Sequence, residues 1–155
     1  MTSTIKGVPR CGFAALLGAP NAGKSTLMNT MVGSKVSIVT PKVQTTRTRI
    51  LGVTAQDATQ IIFVDTPGIF DPKRRLDRAM VAAAWGGASD ADVVVLLVDA
   101  KSGIDRNTCR IIGGLRKNHR KAVCALNKID TVKHANLLSL TEELNAKEIF
   151  TDFFM

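Results

Sequence analysis

The octapeptide Gly-Ala-Pro-Asn-Ala-Gly-Lys-Ser at positions 18–25 restricts the possible folds of this chain most strongly. It directly follows the apolar run 13–17 and overlaps the start of a helix-like segment, 24–32. The spacing GxxxxGK followed by Ser or Thr is typical of a loop whose backbone N–H groups turn inward toward phosphate oxygens. The helix that follows adds the positive end of its dipole. The sequence therefore predicts a strand, a phosphate loop and a helix in succession.

Each position of this loop has an expected role. Lys24 is expected to reach the β and γ phosphates of a nucleotide, and Ser25 to ligate magnesium. The predicted binding residues of the loop are Gly18, Ala19, Pro20, Asn21, Ala22, Gly23, Lys24, Ser25 and Thr26. A glycine-rich turn without a ligand is the alternative. The loop alone does not distinguish adenine from guanine nucleotides.

The rest of the chain alternates between apolar runs and helix-like segments. Three further apolar runs are continuous, as in strands buried on both faces of a parallel sheet, and they cover residues 61–64, 93–98 and 122–126. A weaker run at 49–55 predicts an edge strand, and the final apolar residues, 153–155, lie in or just after a last strand. Helices are predicted at 24–32, 76–88, 107–117 and 137–145. This order predicts a three-layer α/β domain with a mostly parallel, six-stranded sheet, helices on both faces and ligand sites at the carboxyl ends of the strands.

Size and composition agree with a single globular domain. The 155 residues leave no room for a second domain of similar size, and 45% hydrophobic with 22% charged residues excludes a disordered chain. The longest apolar run, 93–98, is too short to cross a bilayer, and the first ten residues lack the apolar core of a signal peptide. These features predict a cytoplasmic protein. The net charge of +8 favours polyanionic partners such as nucleic acid or anionic lipid.

A base-reading motif is predicted at Asn-Lys-Ile-Asp, residues 127–130, because it directly follows the apolar run 122–126. An ionised Asp130 can accept hydrogen bonds from both N1–H and the exocyclic amine of guanine, whereas adenine offers no such pair. Asn127 is expected to bond the other edge of the base, and Lys128 to lay its stem along the ring. A simple turn is the alternative, since Asn and Asp are common in turns.

The third motif, Asp-Thr-Pro-Gly at 65–68, ends the apolar run 61–64. Asp65 is expected to hold magnesium and the Gly68 N–H to face the γ phosphate, so the predicted binding residues here are Asp65, Thr66, Pro67 and Gly68. Alone, this motif would indicate a tight turn. Three such motifs in this order, each at a strand end, favour one nucleotide site over independent turns.

A polar segment without hydrophobic periodicity, 43–49, predicts a loop that senses the γ phosphate. Thr46 is the expected magnesium-ligating threonine, with Thr45 as the alternative and a merely solvated loop as another. The predicted metal ligands are therefore Ser25, Thr46 and Asp65.

Taken together, the motifs resemble those of the Era family of GTPases. The resemblance runs from Cys11 to Asp130 through the blocks CGFAALLGAPNAGKSTLMN, GSKVSIVTPKVQTTRTRILG, VDTPGIF and ALNKID. A tRNA-modifying GTPase or a tandem-domain ribosomal GTPase shares the shorter motifs, but KVSIVTPKVQTTR is most similar to Era. The resemblance implies a P-loop NTPase domain of Ras-like topology that binds GTP or GDP with magnesium, hydrolyses GTP and acts as a switch in small ribosomal subunit assembly. A P-loop ATPase or small-molecule kinase, which has no need of Asn-Lys-Ile-Asp, is an alternative, as is another GTPase of the same group.

The resemblance also implies partners outside these residues. Residues 1–155 correspond to the GTP-binding domain and end before the Ser-Ala loop that completes the guanine pocket. Binding of small-subunit ribosomal RNA would belong to a carboxyl-terminal KH domain that these residues do not include. A cytoplasmic location, with peripheral association at the inner face of the membrane, follows from the same resemblance.

Slow hydrolysis is expected because position 69 is Ile, where many signalling GTPases carry a Gln that orients water. An aliphatic side chain cannot do this by hydrogen bonding. The water would then be placed by backbone groups, with charge neutralised by Lys24 and magnesium. The related GTPases often use potassium beside the loop Asn, which makes Asn21 a candidate potassium ligand; loop scaffolding is its alternative role. The predicted catalytic residues are Lys24, Thr46, Gly68 and Asn21. A protein that binds GTP without hydrolysing it remains a further alternative.

Overall fold

A computed structural model describes residues 8–37, 39 and 50–155 of the chain. Strands and helices alternate along these residues. The strands are β1 (Arg10–Gly18), β2 (Ile50–Gln56), β3 (Thr59–Asp65), β4 (Val93–Asp99), β5 (Ala122–Asn127) and β6 (Phe150–Phe154). The helices are α1 (Lys24–Val32), α2 (Arg75–Asp90), α3 (Arg106–Lys117) and α4 (His134–Asn145), with a short 3-10 turn at Ile129–Thr131.

The six strands form one sheet in the order β2-β3-β1-β4-β5-β6. All neighbouring strands are parallel except β2 and β3, which are antiparallel. The predicted α/β fold with a mostly parallel, six-stranded sheet is therefore confirmed, as is the position of the weak run at 49–55 as an edge strand. The phosphate loop follows the central strand β1, with β3 and β4 on either side of it.

The core lies on both faces of the sheet because successive residues of a buried strand point to opposite sides. Leu16 packs in a cluster that includes Met28 of α1, whereas Leu17 packs in the cluster that covers α2, α3 and α4. Cys124 of β5 is fully buried in the second cluster, and burial raises the pKa of its thiol to about 12. The helices therefore cover both faces, as predicted.

The element boundaries differ from the prediction where polar residues begin an element. Helix α4 starts at His134 rather than at Leu137, because its first turn is exposed and carries no apolar pattern. Strand β1 starts three residues before the apolar run, at Arg10, whose N–H donates to the carbonyl of Ala58. None of the helices in the described part of the chain is long and apolar enough to span a membrane.

Candidate nucleotide-binding site

The loop between β1 and α1 curls tightly at the carboxyl edge of the sheet. Asn21 and Gly23 both have left-handed backbone conformations, with φ of 62° and 104°. The N–H of Ala22 donates to the carbonyl of Ala19 (3.2 Å). These reversals occur over three residues, so the chain turns directly from the strand into α1. This is the strand–loop–helix arrangement that the octapeptide predicts.

Lys24 lies inside this loop. Its side-chain Nζ donates to the carbonyls of Gly18 (3.2 Å) and Ala19 (2.9 Å), and only 7% of the residue is exposed. Burial lowers the pKa of Lys24 to about 8, against the attraction of Asp65, which raises it. An anion bound in the loop would favour the charged ammonium and offset this burial. The environment of Lys24 therefore suits a phosphate ligand.

Ser25 and Asp65 meet beside the lysine. The Ser25 hydroxyl donates to Asp65 Oδ2 at 2.6 Å, although the two residues are 40 positions apart. Both are buried. Magnesium prefers hard oxygen ligands such as carboxylates and hydroxyls. The chemistry of this donor pair therefore fits magnesium, and the two residues predicted as ligands are adjacent.

Ser37 is a third member of this cluster that the sequence analysis did not single out. Its hydroxyl also donates to Asp65 Oδ2, at 2.7 Å, and the residue is 2% exposed. A lone serine in a short polar segment after a helix carries no signal that would have identified it. The whole of the predicted sensing segment, 43–49, lies outside the described residues, and with it the expected ligand Thr46 and its alternative Thr45.

The turn after β3 brings the third motif against the phosphate loop. A side chain at Gly68 would come within 2.9 Å of the Pro20 backbone nitrogen, so only a glycine allows this approach. The buried Thr66 hydroxyl donates to the carbonyl of Leu16 (2.6 Å), which ties the start of this turn to strand β1. Pro67 between them is buried.

Ile69 continues this turn into the core. Its side chain is fully buried in the cluster that contains Leu17, and its N–H donates to the carbonyl of Gly18 (3.1 Å). A side chain held in the core cannot contact a water molecule at the phosphates. Its position agrees with the expectation that no side chain at position 69 orients water.

The base motif is joined to the phosphate loop by two side chains. Asn127 Nδ2 donates to the carbonyl of Ala22 (2.9 Å), and Lys128 Nζ donates to the carbonyl of Asn21 (2.8 Å). Both bonds link residues more than a hundred positions apart in sequence. Asp130 is exposed, in the 3-10 turn that follows. The structure thus brings the predicted base-reading and phosphate-binding residues into one region.

Asp99 at the end of β4 is a second residue that the sequence analysis missed. It forms an ion pair with Lys128 (Oδ2 to Nζ, 2.6 Å). Partial burial opposes ionisation, but hydrogen bonds from Lys128 and from the Lys101 backbone hold the pKa of Asp99 below its ordinary value. The available signal was its position, because Asp99 follows a buried apolar run just as Asp65 does.

A cavity of about 310 Å³ lies next to these groups. Its walls include Asn21 of the phosphate loop, Phe70, the Asp99–Lys128 pair and Thr108 at the start of α3. It opens at the carboxyl edge of the sheet, where open α/β sheets bind their ligands.

The fold and the site together define the P-loop GTPase class of domains. A family model described as "50S ribosome-binding GTPase" matches residues 13–128, and the chain belongs to this family. The resemblance to Era is confirmed as well. Over 149 residues the chain is 60% identical to GTPase Era of Dinoroseobacter shibae. The aligned region covers 94% of this chain and 48% of that protein. The chain thus spans about half the length of the curated relatives it matches.

Solved structures agree with this assignment. One is Era in complex with MgGDPNP and a segment of 16S ribosomal RNA, with a TM-score of 0.87 and 39% identity over 94% of this chain and 50% of that one. Another is a variant of Era from Aquifex aeolicus bound to GDP and AlF4⁻, with a TM-score of 0.84 and 39% identity over 93% of this chain and 50% of that one.

Proposed function

We propose that this domain binds guanine nucleotides with magnesium and hydrolyses GTP slowly, as a molecular switch. The observation that carries the proposal is the joining of three motifs at one sheet edge, where Asn127 and Lys128 donate hydrogen bonds to carbonyls of the phosphate loop. A glycine-rich turn or a chance Asn-Lys-Ile-Asp segment would not require these contacts. The nucleotides named for the two similar Era structures support the same proposal.

The phosphates would be held by the backbone of residues 18–26 and by the Lys24 ammonium. Lys24 already contacts two loop carbonyls, and its short movement to phosphate oxygens would place a positive charge beside the β and γ phosphates. Ser25 and Asp65 would hold magnesium, with Thr46 as the proposed third protein ligand. Magnesium bound there would neutralise phosphate charge.

The guanine base would be recognised by the Asn-Lys-Ile-Asp segment, residues 127–130. Asp130 would accept the N1–H and the exocyclic amine, Asn127 would bond the opposite edge, and the Lys128 stem would cover the ring. The ion pair with Asp99 fixes Lys128 next to Asn21, which supports this placement. The exposed carboxylate of Asp130 stays available for the base.

Hydrolysis would rely on backbone groups. The Gly68 N–H would bond the γ phosphate, and the attacking water would be positioned by main-chain atoms, because the Ile69 side chain is buried in the core. Lys24 would stabilise the charge that develops on the phosphate oxygens. Without a water-orienting side chain, turnover is expected to be slow.

Two measurements test this function directly. Displacement of a fluorescent GDP from the chain by GTP, but not by ATP at the same concentration, is expected; equal displacement would favour the P-loop ATPase or kinase alternative. Single-turnover release of phosphate from bound GTP separates a switch enzyme from a passive binder. Lys24→Met is the control, since it removes the cation that contacts phosphates and leaves an apolar side chain of similar length.

Potassium dependence is expected if Asn21 ligates a potassium ion beside the phosphates. GTP hydrolysis should then be several-fold faster in potassium than in sodium buffer at equal ionic strength. Asn21→Ala should remove the difference while GDP still binds. Equal rates for the unmodified chain in the two buffers would reject the potassium role and leave Asn21 a scaffold residue.

The cellular role is proposed from the similarity to Era. The chain would be the GTP-binding domain of an Era-type protein, and its nucleotide state would control assembly of the small ribosomal subunit. Contact with small-subunit ribosomal RNA would belong to a KH domain outside these residues. The net charge of +8 supports polyanionic partners in general, including a peripheral contact with the inner face of the membrane in an otherwise cytoplasmic protein.

A further inference from the structure

Ser37 has an unexpected position at the magnesium site. It follows α1 by five residues, and its hydroxyl donates to Asp65 Oδ2 at 2.7 Å. The same oxygen accepts from Ser25 at 2.6 Å. Two donors on one carboxylate oxygen restrict rotation of the carboxylate. The orientation of Asp65 is therefore set from two sides, by the phosphate-loop helix and by the segment after it.

The side chain of Asn29 holds Ser37 in place. Asn29 Oδ1 accepts from the backbone N–H groups of Val36 (3.0 Å) and Ser37 (2.9 Å), and Asn29 Nδ2 donates to the carbonyl of Ser37 (2.9 Å). Three hydrogen bonds from one amide to adjacent backbone groups form a clamp. Since Asn29 belongs to α1, which starts at the phosphate loop, the clamp fixes Ser37 relative to the loop.

We propose that Ser37 is a positioning residue for magnesium, acting through the carboxylate of Asp65. Magnesium demands near-ideal octahedral geometry, so a carboxylate turned out of place binds it poorly or holds its water poorly. Groups that orient a metal ligand change metal affinity by about 10–100-fold when removed. The inference rests on the proposed function, because the magnesium is the one bound with nucleotide.

The test is a magnesium titration of GDP binding with the full chain. The rate of release of a fluorescent GDP is measured as magnesium is raised from zero, with EDTA as the zero point. Ser37→Ala is expected to move the midpoint to about tenfold higher magnesium. Its release rate in EDTA should equal that of the unmodified chain, because the side chain of Ser37 is directed at Asp65, which acts on the nucleotide through magnesium in the proposed site.

Controls separate positioning from general structure. Ser34→Ala removes an exposed hydroxyl from the same segment and should leave the midpoint unchanged. Ser37→Thr keeps the hydroxyl and should restore most of the magnesium affinity. Asn29→Ala removes the clamp and should shift the midpoint in the same direction, which keeps the test valid if Ser37→Ala folds poorly. The double variant should add little to either single change, since both act on one contact.

The outcomes are distinct. A midpoint unchanged in both Ser37→Ala and Asn29→Ala, with GDP bound normally by the unmodified chain, would overturn the positioning role and leave the proposed function intact. A faster release in EDTA as well as in magnesium would also overturn it, because the effect would then be on the nucleotide pocket in general. An unmodified chain that binds no GDP at any magnesium concentration would overturn the proposed function and this inference with it.

Discussion

Replacing Asp130 by Asn is expected to lower GTP affinity by about 100-fold and to turn the base preference toward xanthine. In the proposed site the carboxylate would accept two hydrogen bonds from guanine, each worth roughly 1.5 kcal/mol because the acceptor is charged. Asn keeps one uncharged acceptor and sets its own N–H against the second guanine donor, so the cost is about 3 kcal/mol, or two factors of ten in affinity. Xanthine carries a carbonyl where guanine carries the amine, so an amide can donate to it.

The substitution should leave the fold intact. Asp130 is exposed, and the 3-10 turn around it is held by other groups, since the Thr131 hydroxyl donates to the carbonyl of Lys128 at 2.6 Å. Lys128 itself is fixed by its ion pair with Asp99. The change in affinity would therefore report the contact with the base.

Competition against fluorescent GDP measures both effects, with GTP and XTP as competitors of each protein. Asp152→Asn makes the same change of charge on exposed strand β6 and should bind as the unmodified chain does. If Asp130→Asn keeps its full affinity for GTP, Asp130 does not read the base. A loss for both GTP and XTP would instead indicate a displaced turn.

Gly23→Ala is expected to reduce GTP affinity by about 10-fold, because displacing Asn127 and the adjoining loop backbone would cost one or two hydrogen bonds to the nucleotide of roughly 1 kcal/mol each. Gly23 has a φ of 104°, and a Cβ added there would overlap the side-chain amide of Asn127. That amide now donates to the carbonyl of Ala22, which joins the base motif to the phosphate loop. The methyl group would push the two motifs apart.

Gly33→Ala is the matched control because it introduces the same residue at the other end of α1. Gly33 also has a positive φ, 76°, but an added Cβ meets no atom of the described residues within 4 Å. Both variants carry backbone strain of roughly 1–2 kcal/mol. Only Gly23→Ala adds the overlap with Asn127. Gly23→Ala should therefore lose the more thermal stability of the two, at about 2–4 °C per kcal/mol for a chain of this size.

The comparison is made with thermal unfolding and nucleotide affinity on the same preparations. If both variants are folded at the temperature of the binding assay and affinity is lost only in Gly23→Ala, the role of the Asn127 contact is supported. Equal losses of affinity in both glycine variants would show instead that strain at either end of α1 is enough to disturb the site.

The sequence predicts the three motifs because each is local. A phosphate loop, a strand-end carboxylate and a base-reading segment need particular residues within four to eight consecutive positions. Their place at strand ends follows from continuous apolar runs, which indicate buried parallel strands. The strands, the edge position of β2 and the family could therefore be predicted from residues that are neighbours in the chain.

The ends of the helices and strands, and the burial of single apolar residues beside turns, were harder to predict from the sequence. The first turn of α4 is polar, so the apolar pattern begins three residues after the helix does. Ile69 could be recognised as unable to orient water, but its N–H bond to Gly18 and its burial depend on how the turn after β3 meets β1. An apolar residue next to a turn does not indicate by itself whether it points to solvent or to the core.

The sequence by itself determined the candidate nucleotide-binding groups, namely Lys24, Ser25, Asp65 and the Asn-Lys-Ile-Asp segment. The tertiary structure alone decided which other groups hold them. Ser37 reaches Asp65 across 28 positions, and Asp99 reaches Lys128 across 29. Such contacts depend on the order of the strands in the sheet and on the path of the chain after α1. A hydroxyl or a carboxylate becomes part of a site only when folding brings its partner within hydrogen-bond distance. A local sequence pattern does not predict such long-range contacts.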